Sequence, residues 1–282
     1  MRTNILKSLF LLFCSLFTTL VAYSFTSSKA ETSSEPNNFG NDSVLIWPSE
    51  LPEVPAYEFV DNKKLTKVII PEGVLSIGEY AFLGCENLEE ISLPASLAEI
   101  GEGAFRDCTS LQKLDIPEKI TKIPAYMCAW DENLTEVNLP LGLKDIGGRA
   151  FAYCSKLKNI DFPGDLQHIG SNAFSFCRSI TEINLPDSIQ ELESYAFSDC
   201  SNLVKAKLPS NSNMLGELIF TGCTNLKEII CLSPQPPTFD CNSPLFDPLE
   251  IEIKEQCKLI VNPENINQFK GFPVWELFFK SD

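Results

Sequence analysis

A 23-residue motif begins at Leu65 and recurs without gap or insertion. Copies start at Leu65, Leu88, Leu111, Leu134, Leu157, Ile180 and Leu203. The second copy reads LEEISLPASLAEIGEGAFRDCTS, residues 88–110. Apolar residues recur at position 4 (Val68, Ile91, Leu114, Val137, Ile160, Ile183, Ala206) and at position 6 (Ile70, Leu93, Ile116, Leu139, Phe162, Leu185, Leu208). Proline holds position 7 in every copy, and Ile or Leu holds position 13. Phe at position 18 and Cys at position 21 recur in most copies, as in Phe82 with Cys85. A fixed period of roughly 20–50 residues restricts a chain to stacked repeat architectures, in which no repeat can bury its apolar face alone.

Within a copy, positions 3 to 6 alternate polar and apolar, the period of a strand with positions 4 and 6 inward. Proline at 7 has no ladder donor and ends the strand. Positions 10 and 13 return to the core. Gly at position 14 (Gly78, Gly101, Gly147, Gly170, Gly216) fits either a turn at positive φ or a close backbone approach. The Phe ring of Ala-Phe fills the far side of the rung. Counting back from Leu65 exposes a worn copy over 42–64, with Leu45, Trp47, Pro48, Leu51, Val54 and Phe59 in register. The third full copy departs from the motif: Pro124 replaces Gly, Cys128 replaces Phe and Asp131 replaces Cys. Trp130 is expected to fill the lost volume, with a local kink.

The ends read differently. Arg2 and Lys7 precede the apolar stretch LFLLFCSLFTTLVAY, and small residues offer cleavage after Ser24 or Ala30. This is the pattern of a secretory signal peptide over 1–30, with a retained signal anchor as the alternative. Cys14 lies inside the apolar run and is read as part of it. Removal after Ala30 takes away Arg2, Lys7 and Lys29, making the net charge of −16 three units more negative. Residues 31–41 read as a polar linker. Beyond Asn225 the pattern decays through 226–282: a loop at Asp240–Pro248, a strand at 257–262, then a helix started by Pro263 with Asn262 as N-cap. The tail bearing Ile266, Phe269, Phe272, Val274, Trp275, Leu277 and Phe278 is expected to plug the open end of the core.

The motif LxxIxLPxxLxxIGxxAFxxCxx resembles the BspA-like leucine-rich repeat family, and so do SPQPPTF (233–239), LIVNPENINQFK (259–270) and the segment Phe272 to Trp275. The resemblance spans about residues 42–280. It implies an α/β-class repeat fold: a right-handed leucine-rich-repeat solenoid with a parallel β-sheet on one face and degenerate caps. It also implies an exported or surface-held protein that binds host proteins or other cells, often as an adhesin.

Chemistry-bearing residues are few. Six cysteines share position 21 (Cys85, Cys108, Cys154, Cys177, Cys200, Cys223) and are read as small buried hydrophobes rather than ligands or disulfides. Cys231, Cys241 and Cys257 lie outside that column, where one pair could close, Cys241–Cys257 or Cys231–Cys241. The single histidine, His168, is placed on the surface. No phosphate loop, zinc-protease helix or nucleophile elbow occurs, so catalysis, a cofactor and a metal are not expected. The acidic balance disfavours nucleic acid and anionic lipid, and no segment after signal cleavage is expected to span a bilayer.

What remains is the outward strand face at positions 3 and 5. Its candidate ligand-binding residues are Glu90, Ser92, Lys113, Asp115, Glu136, Asn138, Asn159, Asp161, Glu182 and Asn184. Asp115, Asn138, Asp161 and Asn184 form a position-5 column at about 4.8 Å spacing, able to bond sugar hydroxyls, an extended peptide or one another. The expected partner is a protein or glycan, host extracellular matrix among the candidates. An envelope structural component is the alternative. A carbohydrate-active enzyme using the face carboxylates ranks behind both.

Overall fold

The computed structural model describes residues 43–158, 160–211, 214–239 and 256–279. The signal peptide, the linker, the 240–248 loop, Cys241 with its pairings, and Asn159 lie outside the described residues. Among those described, no helix is long and apolar enough to cross a membrane.

The chain winds into a parallel-sheet solenoid in which each turn stacks on the residues 23 positions away. The front ladder comes from positions 3 to 5. Val44–Ile46 pairs with Lys67–Ile69, which pairs with Glu90–Ser92; Lys113–Asp115 pairs with Glu136–Asn138; Glu182–Asn184 pairs with Lys205–Lys207 and onward to Glu228–Ile230 and Lys258–Ile260. A second, two-residue ladder runs along positions 12 and 13, joining Val54, Ile77 and Ile100, then Ile123, Ile146, Ile169, Leu192 and Leu215. The third side is a column of turns. There each position-18 N–H from Phe59 to Phe197 donates to the position-17 carbonyl of the next rung, as Phe82 does to Ala104 and Phe151 to Ala173, both at 2.8 Å. Hydrogen bonds between rungs thus satisfy the backbone on all three sides, as burial of peptide groups demands. From 43 to 239 the described residues form strands, turns and bends without helix.

The alternation places the core as its period requires. Residues at positions 4, 13 and 18 are buried throughout the described rungs, and the position-18 rings stack: Phe59 on Phe82 at 5.1 Å, Phe151 on Phe174 and Phe174 on Phe197 at 5.3 Å. Burying one such side chain is worth on the order of 2–3 kcal/mol. Position 6 is less regular, since Leu93, Leu139 and Phe162 are only partly buried. Leu51, aligned with the core-facing position 10, is exposed. Position 14 is resolved as close approach: a Cβ on Gly101 would stand 2.4 Å from the Glu79 nitrogen, and one on Gly216 2.2 Å from the Ser194 nitrogen.

The corners at positions 16 and 20 are where φ turns positive, in Tyr57, Tyr80, Tyr126, Arg149, Asn172, Tyr195 and Leu218, and in Asp61, Asp107, Trp130, Tyr153, Phe176 and Asp199. Left-handed backbone costs a non-glycine residue about 1–2 kcal/mol, and the bonds between rungs offset it.

The third copy differs from expectation. Trp130 stays at the corner, stacked on Tyr153 at 5.3 Å and covered by Arg106 at 4.6 Å. The core volume is supplied instead by Met127, fully buried where neighbouring rungs carry Ala. The front ladder parts here, with no pairing between Glu90–Ser92 and Lys113–Asp115 among the described residues.

At the C-terminal end, Lys258–Ile260 extends the front ladder, followed by a 3₁₀ turn Pro263–Asn265 and a short helix Ile266–Lys270. Asn262 does not cap that turn with its side chain. Its Nδ2 donates to the Leu232 carbonyl at 3.1 Å, tying the segment to the last rung. Phe269 and Trp275 are fully buried with rings 5.5 Å apart, and Trp275 Nε1 donates to the Pro237 carbonyl at 3.0 Å. Phe272 is exposed.

Candidate functional site

On the front face the strands Glu90–Ser92, Lys113–Asp115, Glu136–Asn138 and Glu182–Asn184 show the pattern exposed–buried–exposed, so positions 3 and 5 reach solvent while position 4 anchors them. In Lys67–Ile69, Lys205–Lys207 and Glu228–Ile230 the outer positions are half-buried. Their spacing is that of adjacent parallel strands, which makes neighbours of residues 23 apart. Opposite charges fall together along the column. Lys67 meets Glu90 at 2.7 Å and Lys113 meets Glu136 at 2.8 Å, while Lys205 lies 3.7 Å from Glu182 and 3.6 Å from Glu228. Lys113 also lies 3.4 Å from Asp115. Asn138 Nδ2 donates to Asp115 Oδ1 at 2.6 Å and to Glu136 Oε1 at 3.1 Å. Hydrogen bonds from Lys113 and Asn138 hold the Glu136 carboxyl below its usual pKa, and Glu136 and Asp115 raise that of Lys113.

The predicted column therefore has two parts. Lys113, Asp115, Glu136 and Asn138 form one bonded network. Ser92, Asp161 and Asn184 are exposed and make no side-chain hydrogen bond or ion pair among the described residues. Glu90 and Glu182 are engaged with lysines, and Asn159 falls outside the described residues. A partner meeting this face finds bonded charges at Glu90, on rungs three and four and at Glu182, and open polar groups at Ser92, Asp161 and Asn184.

Two features were not read from the sequence. A polar recess of about 390 Å³ adjoins the strand starts and is lined by Glu89, Ser110, Gln112, Asn133, Thr135 and Lys156. It lies where the front ladder parts, along positions 2 and 23, whose polar character carries no periodic apolar signal. At the N-terminal edge, Val44 and Ile46 expose apolar surface at positions 3 and 5.

The position-21 cysteines are buried, and their thiols have partners. Cys85 Sγ donates to the Phe59 carbonyl at 3.1 Å, Cys177 to Phe151 at 3.1 Å and Cys223 to Phe197 at 3.2 Å. Burial pushes the Cys85 thiol up to about 12. A thiol at position 21 is thus a compact apolar group with one weak donor for the carbonyl beneath it.

His168, expected as a plain surface residue, is only 25% exposed at its side chain and sits between Asp145 and Glu193. Burial lowers its pKa, but the contacts with Glu193 and Asp145 outweigh burial and the net shift is upward.

A strand-and-turn solenoid with a 23-residue rise and a polar sheet face defines a leucine-rich-repeat protein. The model of the BspA type leucine rich repeat region matches residues 52–155 and 121–235 in six copies. The chain belongs to this family. It is similar to a solved leucine-rich repeat protein from Bacteroides ovatus, at 25% identity and a TM-score of 0.61 over 80% of this chain and 65% of that one. It is also similar to a leucine rich cell surface protein from Faecalibacterium prausnitzii, at 26% identity and a TM-score of 0.50 over 70% and 63%. The chain thus spans just under two thirds of the length of each. No curated protein is matched.

Proposed function

We propose that this chain is an exported, non-catalytic binding module that holds a protein or glycan on its front sheet face, and that it serves adhesion to host or cell-surface molecules. The observation behind this reading is the exposed–buried–exposed column, which presents polar side chains at a fixed repeat on rungs two, three, four and six. Regular rows of carboxylate, amide and ammonium groups match the hydroxyls of a glycan chain or the backbone of an extended peptide. Membership of the BspA-type family supports a binding role. The cell-surface description of the F. prausnitzii neighbour and the basic-then-apolar N-terminus support export.

The test compares the parent with an Asp115→Ala, Glu136→Ala, Asp161→Ala, Glu182→Ala variant on immobilised matrix proteins and a glycan array. Loss of binding with an unchanged melting curve is the expected result. Equal binding by both proteins removes the front face as the site. Export is checked by sequencing the N-terminus of the protein recovered outside the cytoplasm, where cleavage after Ser24 or Ala30 is expected.

A further inference from the structure

The only histidine of the chain lies on the second ladder, away from the front face. Position 12 points outward there, and successive rungs place Lys122 beside Asp145, Asp145 beside His168, and His168 beside Glu191 in strict register. His168 Nδ1 is 3.2 Å from Asp145 Oδ1. Its Nε2 is 2.8 Å from Glu193 Oε1 and 4.0 Å from Glu191 Oε2. Glu193 arrives by a departure from the repeat, since it stands at position 14, which is glycine in five other rungs. Its side chain folds back over the preceding rung, where Oε2 accepts the Ser171 N–H at 2.8 Å. That bond aims the other oxygen at the imidazole.

Donor counting separates two states of the ring: an imidazolium donates one N–H to Asp145 and the other to Glu193, and a neutral ring cannot serve both. A neutral imidazole has one N–H and one lone pair. If Asp145 takes the N–H, the Nε2 lone pair faces a carboxylate oxygen at 2.8 Å. A cation between the two turns that repulsion into bonding. A proton on Nε2 bonds Glu193 alone; a metal ion would in addition take up Glu191, whose Oε2 stands 4.0 Å from the same nitrogen, beyond hydrogen-bond reach. The donor atoms of His168, Glu191 and Glu193 all lie within 4.8 Å of one another. Tetrahedral zinc with bonds of about 2.0–2.1 Å holds its ligands about 3.4 Å apart, between the 2.8 and 4.0 Å seen here. Glu191 is 66% exposed, so water has access to a fourth coordination position. A carboxylate on the far imidazole nitrogen fixes the tautomer that offers Nε2 and makes it a stronger ligand. Lys122 lies 3.6 Å from the other oxygen of Asp145, so its ammonium is engaged outside the cluster.

We propose that His168 Nε2, Glu193 and Glu191 bind a divalent transition-metal ion of the zinc type, with Asp145 as a positioning residue. The ion would clamp rungs five and six along their outer edge, with rung four joined through the contact between Asp145 and His168. An imidazole with two carboxylates selects zinc-like ions over magnesium or calcium, which take oxygen ligands. The site is independent of the front face and of any ligand bound there.

The single imidazole supplies a direct readout. The chelator-treated full chain, made without a histidine tag, is titrated with zinc while the ring C–H resonances of His168 are followed by NMR. One equivalent of zinc is expected to move these resonances and raise the melting temperature, and magnesium is expected to do neither. Glu193→Gly, which restores the usual residue of the repeat, is expected to weaken zinc binding at least tenfold, as outer-sphere Asp145→Asn should also do. Resonances unmoved by excess zinc would overturn the proposal even if the melting temperature rose, because the ion would then sit elsewhere. Equal zinc affinity in the parent and Glu193→Gly would overturn it as well.

Discussion

Asp131 Oδ1 accepts the backbone N–H of Cys108 across one rung at 2.8 Å, while its second oxygen is buried with no hydrogen-bond partner among the described residues. Every other full rung places a cysteine here, whose thiol donates to a carbonyl of the preceding rung. Burial lifts the Asp131 carboxyl well above its ordinary range. Because the folded form favours the protonated acid, its contribution is fully present below the unfolded pKa of about 3.9 and is lost as pH rises toward the folded value.

Asp131→Cys is therefore expected to stabilise the protein at neutral pH by about 1–3 kcal/mol, the cost of an unsatisfied buried polar group. The Cys108 N–H keeps its second acceptor, the Phe105 carbonyl at 3.2 Å. Denaturant melts of both proteins from pH 4 to 8 should show the advantage growing with pH. A constant difference would mean that the carboxyl does not titrate between folded and unfolded states.

The nine described cysteines are all buried. Burial pushes Cys85 and Cys257 up to about 12 and Cys231 up to about 11. Since the thiolate is the reactive form, native alkylation at pH 8 should be slow at these sites and follow the unfolding rate. Peptide mapping after timed iodoacetamide labelling reads this cysteine by cysteine.

Gly216→Ala places a methyl carbon 2.2 Å from the Ser194 nitrogen, whereas Gly142 has nothing within 4 Å of an added Cβ. The first substitution should cost about 1–3 kcal/mol or more through overpacking. Gly142→Ala should stay within about 0.5 kcal/mol of the parent. Paired denaturant curves test the contrast.

Trp275→Ala removes a fully buried ring that packs on Phe269 and donates to Pro237. The expected loss is about 3–5 kcal/mol. Hydrogen exchange should show it first in the rung that carries Glu228–Ile230. Exchange unaltered there, with the ring gone, would show that the terminal segment does not hold the last rungs closed.

Much of this architecture could be read from apolar spacing alone. Positions 4, 13 and 18 each recur at a fixed interval, and burial of such a column needs no tertiary knowledge. The corners could not be read that way. Tyr80, Trp130 and Arg149 carry no preference for left-handed backbone, and only the bonds to the adjacent rung impose it. Proline and the strand period marked the front face, but its charge pairing depends on register: Lys113 and Glu136 lie 23 residues apart and 2.8 Å apart in space. The surroundings of His168 were hidden for a different reason. Asp145 and Glu191 share its motif position, yet Glu193 reaches it only because one rung abandons glycine.

The positive-φ corners carry a consequence for how this chain can vary. Glycine takes the bend at Gly84, Gly103 and Gly222, but elsewhere rung-to-rung bonds hold it, so position 16 also accepts Tyr, Arg, Asn or Leu and position 20 also accepts Asp, Trp, Tyr or Phe. Each corner is then an addressable site, and letters written 23 places apart print as adjacent marks on one edge. Trp130, Tyr153 and Phe176 already form such a line, with rings 5.3 and 4.4 Å apart. A substitution at a corner would rewrite one mark and leave the winding beneath it intact.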